Sequence, residues 1–334
     1  MFLGLVYSFL ARLPPETAHE IGLRLLKHLP IQLKDSDECF TVVTRFGRLR
    51  NPIGLAAGFD KDGTYLKSFE KLGFGYLVAG TVTRNFRKGF DKPRLVRRRK
   101  DHALVNAMGF PNPGLERFLE NVAANLPESV PVVVSVADEK FEQFVECYKQ
   151  VQNLAAAVEI NISSPNTPQL RHYFQPAVFE NLTSWLKQFK TKPSYLKTPP
   201  TTSQTEKETI LKIVKIWHEY GFDGVTAVNT LLVHEPRVSV KRGGLSGKPL
   251  FPYMLKSVQE MRSMFGDDFE IHAVGGIWNG GDVFTALKNG ATTVQIYTAL
   301  VYRGLEVVAK ILHELKEHMK KHGVESLEQI RTRR

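Results

Sequence analysis

Of 334 residues only two are cysteine, Cys39 and Cys147, far apart in the chain. No zinc or iron–sulfur site can be built on cysteine here, and two isolated thiols point to a reducing compartment. No apolar run approaches the roughly 20 residues that span a bilayer. The N-terminus lacks a basic stretch ahead of an apolar one, and Pro14-Pro15 interrupts it, so it does not read as a cleaved signal. No internal repeat or low-complexity tract is present. There is no His or carboxylate cluster of the kind a metal hydrolase needs, nor the two placed carboxylates of a glycosidase, and no metal is expected.

What the chain has is a 43% hydrophobic share and an excess of base, 45 Lys and Arg against 34 Asp and Glu, a net of +11. That excess favours anionic partners: nucleic acid, acidic lipid headgroups or phosphorylated ligands. A solvated basic surface satisfies the charge equally well. The length suits one barrel-sized domain with an extension, or two ordinary domains.

The densest local signal is Glu159-Ile-Asn-Ile-Ser-Ser-Pro-Asn-Thr-Pro-Gln-Leu-Arg171. An apolar run from Ala155 ends in Asn161, Ser163, Ser164, Asn166 and Thr167, with Pro165 and Pro168 stiffening the turn. A buried strand that delivers hydrogen-bonding groups at its C-terminal end is how barrel enzymes build active sites. An Asn/Pro loop capping its own backbone would explain one or two such residues, not five.

Runs of strand character recur at 53–57, 76–79, 132–136, 155–162, 194–197, 225–229, 271–274 and 293–297. Helical patterns lie between them at 113–125, 139–152, 176–189, 205–220, 253–265 and 281–289. Eight strands with intervening helices predict an α/β fold, a (β/α)8 TIM barrel. A doubly wound sheet is disfavoured, because no Gly-x-Gly-x-x-Gly follows the first strand. Two connections are long, 81–112 and 230–250. The first holds Arg97-Arg98-Arg99-Lys100, either a solvated hairpin or a ligand-facing loop. After Lys321 the pattern predicts a loop and a short terminal helix.

The N-terminus carries two short amphipathic patterns. Phe2, Leu5, Val6, Phe9, Leu10 and Leu13 share one face; after the prolines, Ala18, Ile21, Leu25 and Leu29 do. Such a pair either lies in a membrane interface or docks on the main domain.

The strand ends converge on one kind of chemistry. Ala56-Ala57-Gly58 lets a flat ligand approach the backbone, with Lys61 beside it. Thr81, Asn161, Ser164, Lys197, Asn229 and Thr230 end or follow other strands, and Gly243-Gly-Leu-Ser-Gly247 lies in the second long loop. Gly275-Gly276 and Tyr297-Thr298 close the last two strands and suit a phosphate held by backbone N–H groups. This pattern predicts a phosphorylated cofactor and a small, polar, planar substrate.

Residues 51–63, Asn-Pro-Ile-Gly-Leu-Ala-Ala-Gly-Phe-Asp-Lys-Asp-Gly, resemble the first barrel strand of dihydroorotate dehydrogenase. Gly80-Thr-Val-Thr83, Asp91-Lys-Pro-Arg-Leu95, Asn106-Ala-Met-Gly-Phe110, the 161–171 segment, Gly243–Gly247 and Val294-Gln-Ile-Tyr297 resemble the family in the same order, from residue 1 to about 331. The class 2, quinone-dependent, membrane-associated branch is the nearer likeness. Its N-terminal helical pair is similar to this one, including Pro15-Glu-Thr-Ala-His-Glu20, and Ser164 stands where class 1 enzymes carry cysteine.

The resemblance implies oxidation of dihydroorotate to orotate in pyrimidine biosynthesis with one FMN per chain. Ser164 would take the C5 proton and the C6 hydride would pass to flavin N5. Thr167 and Phe110 match positions that shape a proton relay. Lys61, Asn106, Ala107, Met108, Gly109, Phe110, Asn166, Asn229 and Thr230 would bind substrate. Ala57, Gly58, Thr81, Ser135, Asn161, Lys197, Val228, Gly247, Gly276, Tyr297 and Thr298 would contact the flavin. His19 and Arg97 resemble residues at the inner end of a quinone tunnel, though for His19 a plain helix-surface role stands beside that reading. Residues 1–38 would form the membrane and tunnel extension, and 39–334 the FMN-binding barrel. The implied partners are a membrane quinone and the membrane surface, with no nucleic acid, and a monomer is expected. The N-terminus lacks a transit-like character, which favours the cytoplasmic face of a bacterial inner membrane over the mitochondrial one.

Five positions depart from the family pattern. Ser135 replaces an amide that reaches flavin and substrate, Val228 a threonine, and Gln169 a glycine, while Thr198-Pro199 replaces a Pro-Asp pair. They keep two alternatives open: an FMN barrel acting on another pyrimidine-like substrate, such as dihydrouridine in RNA, or a barrel that has lost its cofactor.

Overall fold

The structure, a computed structural model, describes residues 9–29 and 37–332. Phe2, Leu5 and Val6 of the first amphipathic pattern lie outside the described residues. The second pattern forms α1 (Pro15–His28), opened by Pro15 at its first position, where a missing N–H costs nothing. Its Ala18 and Leu26 are buried. Leu25, expected on the same face as Ala18, is instead 39% exposed.

A hairpin of β1 (Val42–Thr44) and β2 (Gly47–Leu49) leads into the first barrel strands, β3 (Ile53–Leu55) and β4 (Tyr76–Val82). The first long insertion then forms β5 (Leu95–Arg98) and β6 (Ala103–Asn106). The barrel resumes with β7 (Val132–Val136), β8 (Ala157–Asn161), β9 (Ser194–Thr198) and β10 (Gly224–Ala227). The second insertion supplies β11 (Leu231–His234) and β12 (Arg242–Gly247); β13 (Glu270–Val274) and β14 (Thr293–Ile296) complete the circuit. Eight strands close a parallel barrel in the order β10-β13-β14-β3-β4-β7-β8-β9. Every residue of these eight strands is buried, which is why each reads as a continuous rather than alternating apolar run.

The expected helices are present, with ends moved by a residue or two. Packed outside the strands are α2 (Leu66–Glu70), α3 (Leu115–Asn125), α4 (Phe141–Val151), α5 (Pro176–Gln188), α6 (Gln204–Glu219), α7 (Phe251–Phe265) and α8 (Gly280–Lys288). A capping box of Asn279 and Asp282 starts the last of these. Short α9 (Thr298–Arg303), α10 (Val307–Lys321) and the expected terminal α11 (Leu327–Thr332) follow.

The lower barrel interior is polar and aromatic rather than filled with branched aliphatics. Tyr76 donates to or accepts from Thr293 Oγ1 at 2.8 Å, His272 Nδ1 bonds the same hydroxyl at 2.7 Å, and Tyr195 donates to Glu270. Gly54 makes the room: a Cβ there would sit 2.4 Å from the Tyr76 ring. Phe46, in the β1–β2 turn, plugs the barrel floor edge-on to Tyr76, Tyr195 and His272.

The two insertions join in one antiparallel sheet, ordered β11-β12-β6-β5. Gly244 faces Asn106 and Leu245 faces Val105 across it. The basic run is therefore a hairpin that is partly solvated and partly cavity-facing: Arg99 and Lys100 are exposed, while Arg97 and Arg99 line a cavity beneath α1. Arg97 donates to Leu13 O at 2.6 Å, Arg99 to Ala11 O, and Arg98 to Glu235 at 3.0 Å. Glu235 is 2% exposed and also takes two bonds from Arg237. Arg237, then Arg98, hold its carboxyl down to about 2, against the opposing effect of burial. A depressed carboxylate stabilises the fold above its unfolded value near 4.5, and that contribution is lost as pH falls toward 2. Glu235→Ala is expected to cost about 1–3 kcal/mol at pH 7, less than for a fully buried pair because both guanidinium groups reach water. Thermal unfolding at pH 7 and pH 3 checks it: the wild-type advantage shrinks at the lower pH.

Candidate active site

A cavity of about 170 Å3 opens at the carboxyl ends of the barrel strands, roofed by the insertion sheet. It brings together residues from every part of the chain. Lys61, Asn106, Met108, Gly109, Phe110, Ser164, Asn166, Asn229 and Thr230 line it, as do Ala57, Gly58, Thr81, Asn161, Lys197, Val228, Gly247, Gly276, Tyr297 and Thr298. Two expected residues do not. Ala107 is fully buried and turned away, its N–H bonding Arg94 O at 2.7 Å, because alternate residues of an extended segment face opposite sides. Ser135 lies behind the wall, its hydroxyl spent on Thr81 and Glu159, both at 2.9 Å.

Three lining residues were not singled out from the sequence. Ser246 sits inside the Gly243–Gly247 motif and bonds Thr298 Oγ1 at 2.8 Å. Gln295 lies on the last barrel strand, and Ile277 follows Gly275-Gly276 in the loop after β13.

The amides are oriented by one another. Asn166 Nδ2 donates to both O and Oδ1 of Asn106 at 3.1 Å, and Asn106 Nδ2 donates to Gly244 O at 3.2 Å. Asn229 Nδ2 donates to Asn161 Oδ1 at 3.3 Å and Ser163 Oγ at 3.1 Å, while its oxygen takes Thr230 N–H at 2.8 Å. Ser163 is thus committed to the protein, and its neighbour Ser164 lines the cavity. Asn166 Oδ1 and Gln295 Oε1 are buried in the wall with no hydrogen-bond partner among the described residues. Buried polar atoms are nearly always paired, so these two acceptors suit a bound ligand.

Lys61 is half-buried, and its partial desolvation lowers its pKa, opposed by the charges of Asp62 and Glu16. The neighbouring Asp60 holds the loop by accepting from Thr64 N at 3.1 Å and Tyr65 N at 2.8 Å; burial raises its carboxyl to about 6. Gly275 and Gly276 have φ of 128° and 81°, a backbone form open to glycine, and a Cβ on Gly276 would lie 2.4 Å from Phe251 N. Bare backbone at Gly58, Gly247 and Gly276, partnerless acceptors and a lysine at the wall fit a flat ring bearing a phosphate.

A second cavity, about 450 Å3, lies between α1 and the barrel. His19 and Arg97 both line it, with Gly22, Leu25, Leu29 and Phe59. It shares Leu95, Leu104 and Tyr297 with the first. His19 meets Phe59 edge-on at 4.9 Å, and Phe59 meets Tyr297 at 4.8 Å, so three rings run from one cavity to the other. Burial, then the charge of Lys61, lowers His19 to about 3, and burial alone lowers His272 to about 3. Both are neutral at pH 7. Such groups support the fold above the unfolded value near 6.5 and weaken it progressively as pH falls toward 3. Between pH 7.5 and 5.5 the thermal midpoint of the wild type is expected to fall further than that of His272→Gln.

Among the described residues no group of three His, Cys, Asp or Glu could hold a metal ion, and no helix is long and apolar enough to cross a membrane.

Fold and cavity define a (β/α)8-barrel enzyme with its chemistry at the strand ends. The chain belongs to the dihydroorotate dehydrogenase family, whose model matches residues 42–319. It is 34% identical over 336 residues to the dihydroorotate dehydrogenase (quinone) of Coxiella burnetii (strain Dugway 5J108-111), covering 92% of this chain and 94% of the relative. It is 34% identical over 337 residues to the enzyme of the same name in Rhodopseudomonas palustris (strain TIE-1), covering 95% and 92%. Among solved structures, the Eimeria tenella dihydroorotate dehydrogenase in complex with ferulenol superposes with a TM-score of 0.86 at 30% identity, over 98% of this chain and 97% of that one. These matches place the chain in the quinone-dependent branch, whose cofactor is a flavin.

Proposed function

We propose that this protein oxidises dihydroorotate to orotate, with FMN in the strand-end cavity and a membrane quinone reached through the second cavity. The observation that carries the reading is Ser164 beside a set of amides whose orientations the protein has already fixed. FMN, when bound, supplies the acceptor for the two electrons leaving the substrate. The chain's own residues do the rest. Lys61 offers a half-buried cation at the cavity wall for an orotate-type carboxylate. Asn166 Oδ1 is the one amide oxygen of its set left unpaired, and it suits a ring N–H. Asn106 and Asn229 are committed to Gly244, Asn161 and Ser163, so they hold the shape of the pocket and present fixed edges. The Ser164 hydroxyl takes the C5 proton and needs a relay to release it, because a serine is a weak base. Thr167, buried three residues on, is the residue we assign to that relay.

The second cavity, with Phe9 and Leu25 exposed near its mouth, suits a lipid-soluble quinone and surface attachment to a bacterial inner membrane on its cytoplasmic face. Arg98 is paired with Glu235, and Arg97 and Arg99 donate to the backbone of Leu13 and Ala11, which leaves less of this run for an RNA substrate.

The test is the visible spectrum of detergent-purified protein without air. A flavin spectrum that bleaches with dihydroorotate and recovers with a soluble quinone is expected. A flavin spectrum indifferent to dihydroorotate would sink the substrate, and a protein that takes up no FMN would sink the cofactor.

A further inference from the structure

A buried ion pair ties Lys197, on the wall of the strand-end cavity, to a carboxylate behind it, Glu159, that none of the roles above uses. Lys197 Nζ reaches Glu159 Oε1 at 3.1 Å, with the two side chains 7% and 0% exposed. Ser135 Oγ donates to the same carboxylate oxygen at 2.9 Å. That bond uses the only proton Ser135 has. Thr81, at 2.9 Å from Ser135, must therefore donate to it, and Asn161 Nδ2 in turn donates to Thr81 Oγ1 at 3.2 Å. Asn161 is thereby left with its oxygen facing Asn229 and Ser163. One carboxylate thus sets the donor sense of a chain that includes three residues of the cavity wall: Lys197, Thr81 and Asn161.

We infer that Glu159 is a positioning residue that aims this chain and cancels the charge of Lys197 toward whatever ring lies against the wall. The inference rests on the reading that FMN occupies this cavity. A charge inside a protein acts strongly at short range because little water screens it. With the pair intact the wall is close to neutral. With Glu159 gone, a bare ammonium faces the ring and favours the electron-rich form of the flavin. The isosteric amide of Glu159→Gln keeps an oxygen for Ser135 and Lys197 to donate to but carries no charge, so the variant isolates the electrostatic part of the role.

The experiment is the midpoint potential of the FMN-loaded protein by equilibration with reference dyes. It is run at one pH for the wild type and every variant. Glu159→Gln is expected to shift the oxidised–reduced equilibrium at least tenfold toward reduction, about 30 mV for a two-electron couple. Lys197→Met, measured at the same pH, is expected to shift it at least tenfold the other way, and it stands in if the first variant does not fold. The double variant, neutral like the native pair, is expected to return to within tenfold of wild type. A merely structural role would lower the thermal midpoint and leave the potential alone. Single variants that hold FMN at the wild-type potential would overturn this inference while leaving the cofactor reading intact. A wild-type protein that takes up no FMN would overturn both.

Discussion

Ser164→Ala is expected to slow the bleaching of bound flavin by dihydroorotate about 10²–10⁴-fold, the usual contribution of a placed general base. Flavin content should not change. The reason is local. Ser164 sits in the loop that leaves β8, and the hydroxyl beside it, Ser163, is tied to Asn161 and Asn229. Removing Ser164 Oγ deletes the proton acceptor without disturbing that lattice. Stopped-flow mixing without air reads the step directly, ahead of any quinone chemistry. Ser164→Cys sharpens the test. A thiol ionises near 8.5 and a serine hydroxyl far higher, so the cysteine variant should regain part of the rate and reach its plateau at lower pH. A Ser164→Ala protein that bleaches at the wild-type rate would remove Ser164 from the chemistry.

Gly22→Trp is expected to abolish most turnover with a soluble quinone, by tenfold or more, while turnover with a small polar dye persists. Gly22 lies on α1 facing the second cavity, and a Cβ there meets only Leu10 Cδ1, at an ordinary 3.6 Å. The helix therefore accepts the side chain, and the indole fills space that a quinone ring would need. The dye reaches the strand-end cavity without using that space. Equal losses with both acceptors would point to damage at the barrel mouth, and no loss with quinone would sink the assignment of the cavity.

Much of the site was legible because a parallel barrel writes itself plainly. Its strands are buried on both faces, so they read as apolar runs, and the polar residues that follow each run fall at one end of one cavity. Nineteen of the predicted binding and catalytic residues lie on that wall for this reason. Ser135 and Ala107 were misplaced by the same logic applied one step too far. A position in a motif does not say which way a side chain turns, and Ser135 is short enough to be captured by Glu159 behind the wall. Glu159 itself looked like one residue of a strand; its partner Lys197 is 38 residues away. The polar barrel interior was equally hidden, since Tyr76, His272 and Thr293 are far apart in the chain.

By itself the amino-acid sequence determined the barrel, the strand-end chemistry and the family, because these follow from local runs and short motifs. Only the tertiary structure decided what the basic run does, how the two insertions pair, and that a buried carboxylate sits behind the site. Those depend on contacts between residues brought together by folding, as when Arg98 meets Glu235 across 137 positions. No local pattern encodes such a meeting; packing and the cost of an unpaired buried charge select it.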